Sequence, residues 1–175
     1  MQTFKPWIGQ HYTEGVEGKR LLILGESHHG GEGCHYSDFT IETIRKEALG
    51  ENGHRRRAFF TRVLHLIVGG RGGVPADERI KFWNNVAFYN FIQTALETAR
   101  QRPTYEMWQA AHAPLLHTIE DLKPEMILVL GKALQENLPS LPHHIITCGI
   151  NHPSAKGFTY DEWQPKVYQS FFGNN

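Results

Sequence analysis

Cysteine is scarce in this sequence, with Cys34 and Cys148 the only two among 175 residues. Two thiols cannot staple a disulfide framework, nor can they supply a four-thiolate zinc or iron–sulfur site from one chain, so reduced thiols are expected. Long apolar runs are also missing. None approaches the roughly 18 residues that a membrane span requires. The opening MQTFKPWIGQHY carries no hydrophobic leader, so the expectation is a soluble cytoplasmic protein with no membrane partner. Net charge is absent too: 18 basic and 18 acidic residues cancel, which removes any long-range pull of the whole molecule toward a polyanion. There is no internal repeat, linker or low-complexity tract. What remains is a chain that is 40% hydrophobic and 21% charged, a globular composition. Its length suits a single domain over residues 1–175, expected to be a monomer.

Charge is nevertheless uneven along the chain. Between Arg45 and Lys81 nine Lys or Arg residues face four acids, and Arg55, Arg56, Arg57 and Arg62 gather around a helical stretch. A solvated helix surface is the commoner meaning of such a run, and a basic binding face is the alternative. Eleven histidines stand out more, several beside glycines in loops. An imidazole that is neutral near pH 7 serves chemistry well there.

Four short aliphatic segments recur, each closed by a turn signal: Arg20–Gly25, Val86–Asn90, Met126–Gly131 and Ile145–Gly149. Runs this short and this apolar suit strands buried on both faces. Helical patterns separate them. Tyr105–Leu122 puts Trp108, Ala111, Leu115, Ile119 and Leu122 on one stripe, with Thr104 as N-cap and a kink expected at Pro114. Phe59–Ile67 reads as another helix, stopped by the glycines from Gly69, and Asp161–Phe172 as a last one containing Pro165. Strands alternating with helices predict a three-layer α/β/α fold around a central four-stranded parallel sheet, with a helical elaboration at about residues 37–73.

Ligands in such folds sit outside the carboxyl ends of the strands. That rule selects Glu26, Ser27, His28 and His29, then Asn90, then Lys132, then Asn151, His152 and Ser154. Any one of them read alone is a loop residue satisfying a backbone group. Standard templates fail at these positions. His29 fills the place where a nucleophile elbow needs glycine, and Gly131-Lys132 lacks the first glycine and the hydroxyl residue of a P-loop. Neither glycine-rich stretch has the dinucleotide-binding spacing. His28, His29, Glu32, Cys34 and His35 are all metal-ligand types but lack ligand spacing, which leaves a metal site as a minor alternative.

In order and strand context, LLILGESHHG, VAFYNFIQ, RPTYEMWQAAHAPLLHTIEDLKPEMILVLGKAL and HPS resemble the motifs of the uracil-DNA glycosylase superfamily. The nearest branch is the bacterial one that usually carries an iron–sulfur cluster. The cluster cysteines are missing here, so the resemblance implies no cofactor and no metal. It implies that Asn90 reads the edge of a flipped base and that His152 donates to the oxygen on which negative charge develops. Glu26 and the backbone of Ser27 would position water and stabilise the sugar cation, and Phe39 would stack on the base. Ser154 would hold phosphate, while Lys156, Arg55, Arg56 and Arg57 would add attraction to single- or double-stranded DNA. His28, His29 and Asn151 depart from the usual motifs and complete the site loops. The implied activity is monofunctional hydrolysis of the N-glycosidic bond of uracil or a related damaged or modified base. A noncatalytic nucleic-acid-binding member of the same fold, and a metal-assisted hydrolase, are the alternatives.

Overall fold

The computed structural model of the chain describes residues 3–173. Five strands, β1 (Trp7–Ile8), β2 (Leu21–Gly25), β3 (Val86–Asn90), β4 (Met126–Leu130) and β5 (Ile146–Ile150), form one sheet in the order β1-β3-β2-β4-β5. The pairs β2–β3, β2–β4 and β4–β5 are parallel. All four strands expected from the sequence form within a residue of their expected ends. The sheet is not purely parallel and four-stranded, however, because β1 adds an antiparallel edge with Trp7 opposite Phe88 and Ile8 opposite Ala87. Two residues are too few for a hydrophobic alternation to announce a strand. What holds β1 is the Trp7 ring, buried with its Nε1 donating to Trp83 O at 2.8 Å, and the continuing bond from Gly9 N to Val86 O at 3.0 Å.

Side chains alternate across each strand. Leu21, Ile23, Val86, Phe88, Met126 and Leu128 turn to one face. There they meet Ile44 beyond α1 (Phe39–Thr43), then α2 (Ala58–Val68), α3 (Ala76–Asn84) and, across the sheet, α7 (Tyr160–Phe172). Leu22, Leu24, Ala87, Tyr89, Ile127 and Val129 turn to the other, against α4 (Tyr105–Ala110), α5 (His112–Leu122) and α6 (Lys132–Glu136). Helices therefore cover both faces, and β2 sits at the centre with no exposed residue. Truncating one of its leucines to alanine costs about 2–5 kcal/mol, since so enclosed a site cannot collapse around the gap.

Local chemistry explains where helices stop. Thr104 Oγ1 accepts from Met107 N at 3.3 Å, the expected cap of α4. The expected helix through Leu122 does not merely kink at Pro114 but breaks at Ala111 and restarts. Pro114 has no N–H to offer Ala110, and it fits instead in the first turn of α5. Pro165 lies inside α7, where its missing bond falls on the exposed Asp161 end. Residues 37–73 hold α1, a π-helical turn over Ile44–Leu49 ended by Gly50 at φ 75°, an exposed stretch, and α2. No helix among the described residues is long and apolar enough to cross a membrane.

Candidate active site

The chain leaves β2 toward β3 on one side and leaves β4 toward β5 on the other. The crevice at such a switch point lies beyond the carboxyl ends of β2 and β4. Four loops border it: the one opening at Glu26, the one after Asn90, Gly131, and Asn151 to Ser154.

Asn90 ends β3 directly opposite Gly25 in the parallel register. Its Oδ1 occupies the space of the side chain that Gly25 lacks, 2.2 Å from where a Cβ would stand. Asn90 is only 6% exposed, yet its side-chain amide has no hydrogen-bond partner among the described residues. Its backbone, by contrast, is anchored: Gln93 Nε2 donates to Asn90 O at 2.7 Å, and Gln93 Oε1 accepts from Thr3 N and Phe4 N at 2.9 Å. The polar atoms of the Asn90 amide are not sealed from solvent, so the amide is open to a ligand at the mouth of the sheet.

Glu26 is half-buried and makes no ion pair or side-chain hydrogen bond among the described residues. Burial raises its carboxyl above the usual range, opposed by the charge of Arg102. The Ser27 hydroxyl beside it is enclosed without a partner. The backbone of this loop is stitched to the loop after β3 by bonds from Phe91 N to Gly25 O (2.9 Å), Ile92 N to Glu26 O (2.8 Å) and Leu96 N to His28 O (2.8 Å).

The two adjacent histidines part company. His28 turns inward, with Nε2 2.8 Å from Thr40 Oγ1 and its ring 4.9 Å from Phe4 and 4.7 Å from Phe39. Burial first, and the charge of His29 second, push its pKa down to about 3, so it is a neutral structural group. Phe39 packs in that same ring cluster, also 5.4 Å from Tyr36. His29 is exposed, and its charge is felt by His152 across the crevice. Burial first and then Arg57 lower its own proton affinity.

His152 is half-buried, with its ring stacked on Phe59 at 5.2 Å and 28°. Nδ1 accepts from Ser154 N at 3.1 Å, which assigns the proton of the neutral ring to Nε2. Burial first and His29 second hold the pKa below the usual imidazole value. Arg62 Nη1 fixes the same loop by donating to Pro153 O, with its guanidinium 5.8 Å from the Phe158 ring. A side chain on Gly131 would stand 3.9 Å from His152 Cβ.

Asn151, Ser154 and Lys156 are exposed on this rim. Arg55, Arg56 and Arg57 are exposed as well, but Arg57 is paired with Glu47 at 2.9 Å. Sequence reasoning does not single out Phe59 or Arg102 for the site, and it reads Arg62 only as part of the basic face. Phe59 reads as one more apolar residue on a helix stripe, and Arg102 as one loop cation among several. For a metal, His28 is committed to Thr40 and His35 Nε2 accepts from Ala95 N at 2.9 Å, while the Glu32 side chain lies outside the described residues. No group of three or more candidate ligands forms among those described. A cavity of about 920 Å³ lies along the β1 edge between Lys5–Gln10 and α5, away from these residues.

The chain matches no known family model, and no curated protein matches it. The site is therefore read from its own geometry: an unpaired amide, an unpaired carboxylate and a neutral imidazole at one end of the sheet.

Proposed function

We propose that the chain is a monofunctional DNA glycosylase-like hydrolase with the fold of the uracil-DNA glycosylase superfamily, acting on a flipped uracil or a related damaged or modified base. One observation carries this reading: the Asn90 side-chain amide, without a partner among the described residues, at the strand ends where Glu26 follows Gly25. An amide presents one donor and one acceptor edge, which is what the edge of a pyrimidine requires. The base has to leave the stack to reach it.

Breaking the bond between the sugar C1′ and the base nitrogen sends the electron pair into the base and leaves a cationic sugar. His152 Nε2–H donates to the base oxygen where that negative charge gathers, and being neutral beforehand it gains most as the charge appears. The Glu26 carboxylate faces the cation and orients the water whose oxygen adds to C1′; the proton released is taken up by the departing base. No lysine holds a nucleophile position, so the reaction ends at an abasic site. Asn151, Ser154 and Lys156 border the path of the strand, and Arg55 and Arg56 supply the unpaired cations of α2's approach. The protein would act as a cytoplasmic monomer on DNA, without cofactor.

The test is release of abasic sites from oligonucleotides bearing uracil, hypoxanthine, xanthine or bulky modified pyrimidines. Asn90→Ala and His152→Ala are expected to abolish release, and no product from any substrate would overturn the reading. A second reading is a noncatalytic module that holds a base or strand, in keeping with the exposed cations Arg55, Arg56 and Lys156. It predicts salt-sensitive DNA retention without product.

A further inference from the structure

Arg79 lies on the inward face of α3 beside Phe82 and Trp83 and is 4% exposed. A guanidinium does not lose its proton in a protein, so this is a buried cation. Its satisfaction is poor. Nη1 donates to Thr61 Oγ1 on α2 at 3.2 Å, while Nε is enclosed with no partner. No carboxylate pairs with it among the described residues; Asp77 and Glu78 on the same helix are exposed. Burial first, and the like charge of Arg56 second, disfavour its charged form; the Arg56 stem rests against Gly50 with Cγ 3.0 Å from where a Cβ would stand.

Burying one charge without a counter-charge is unfavourable, and a second like charge near it adds to the cost. Such a pair persists in a folded protein when an anion completes it. We infer that Arg79 and Arg56 hold a phosphate-type oxyanion between α2, α3 and the segment that precedes α2, supplied by free phosphate or by a phosphodiester of nucleic acid. Two planar forks match a tetrahedral oxyanion in geometry and in charge, and the Thr61 hydroxyl, which already accepts from Arg79, can turn its proton to a third oxygen. The inference does not depend on base excision, because Arg56 in the helical elaboration and Arg79 on α3 both lie outside the strand-end crevice.

The full-length protein is melted in a chloride buffer with increasing inorganic phosphate and, separately, with a short oligothymidylate. Wild type is expected to gain about 5 °C or more, saturably, at about 100 times the dissociation constant of at least one of them. Response to phosphate identifies the free ion, and response to the oligonucleotide alone identifies the nucleic-acid backbone. Arg79→Met is expected to melt no lower than wild type in chloride, since it removes an uncompensated charge, and to lose the response. Arg56→Gln, whose parent side chain is exposed, provides a folded variant in any case and is expected to bind at least about tenfold more weakly. No saturable gain in wild type with either probe, or the same gain in both variants, overturns the inference. Abasic-site formation is measured separately, so failure of this inference and failure of base excision are told apart.

Discussion

The two walls of the crevice are built differently. On the β2–β3 side the backbone holds everything: Gly25, Glu26 and His28 carbonyls take N–H groups from Phe91, Ile92 and Leu96, and Asn90 rests on the bare Cα of Gly25. On the β5 side His152 depends on side chains sent from elsewhere, the stacked ring of Phe59 and the Arg62 bond to Pro153 O, both from α2. A ladder-continued wall has little freedom to relax, whereas a wall clamped by side chains can be loosened one contact at a time. Recognition is thus expected to fail abruptly when the first wall is altered and by degrees when the second is.

Four expectations sharpen that contrast. The largest effect belongs to Gly25→Ala, whose methyl group would collide with Asn90 Oδ1; base release is expected to fall about 10³-fold, comparable with losing a transition-state hydrogen-bond donor. Loss of less than about threefold, by a steady-state assay on a folded variant, would show that Asn90 is not held by this contact.

Next comes acid stability of the first wall. The His28 pKa drops from 6.5 to about 3 on folding, so between those values the unfolded chain binds a proton that the folded chain refuses. Stability is then complete above about pH 6.5 and lost as pH falls through the window, by about 3 kcal/mol at pH 4. His29 and His152 are lowered too and act in the same sense. Urea unfolding at pH 7 and pH 4 reads this directly, and His28→Leu should flatten the difference.

On the second wall, Phe59→Leu and Arg62→Gln should each lower kcat about tenfold with KM nearly unchanged, because His152 is misaimed and the base contacts remain. An equal loss to that of Gly25→Ala would erase the distinction between the walls. Smallest of all, Lys156→Ala and Arg55→Ala should weaken DNA binding by no more than about threefold each and reduce its salt dependence, as expected for single exposed phosphate contacts.

Much of this architecture is legible in the sequence for simple reasons. β2, β3 and β4 are buried on both faces, so they must be uninterrupted apolar runs, and whatever polar residue follows such a run stands at the mouth of the sheet. Glu26 and Asn90 are visible on that ground, whereas His152 follows β5, which is partly exposed, and stands out through the HPS triplet. β1 is not, because two residues stabilised by a distant indole bond leave no pattern. The partition of labour between His28 and His29 is equally hidden: neighbours in an extended loop point apart, and only the packing of Phe4 and Thr40 decides which one is swallowed. Phe39 and Phe59 are indistinguishable as letters, yet one closes on His28 and the other lies flat on His152. Residues 37–73 read as a helical elaboration stopped at the glycines from Gly69, but the π turn, the left-handed Gly50 and the exposed arginine stretch leave no local pattern.

Gln93 deserves a last inference. Its amide accepts the Thr3 and Phe4 N–H groups and donates to the Asn90 carbonyl. The opening residues are thereby wired to Asn90 through one side chain, while the Phe4 ring abuts His28. Proteolytic trimming past Phe4, or a bulky fusion that drags this segment away, would be sensed as slackness at the guest's binding edge far from the cut, with the rest of the sheet still assembled.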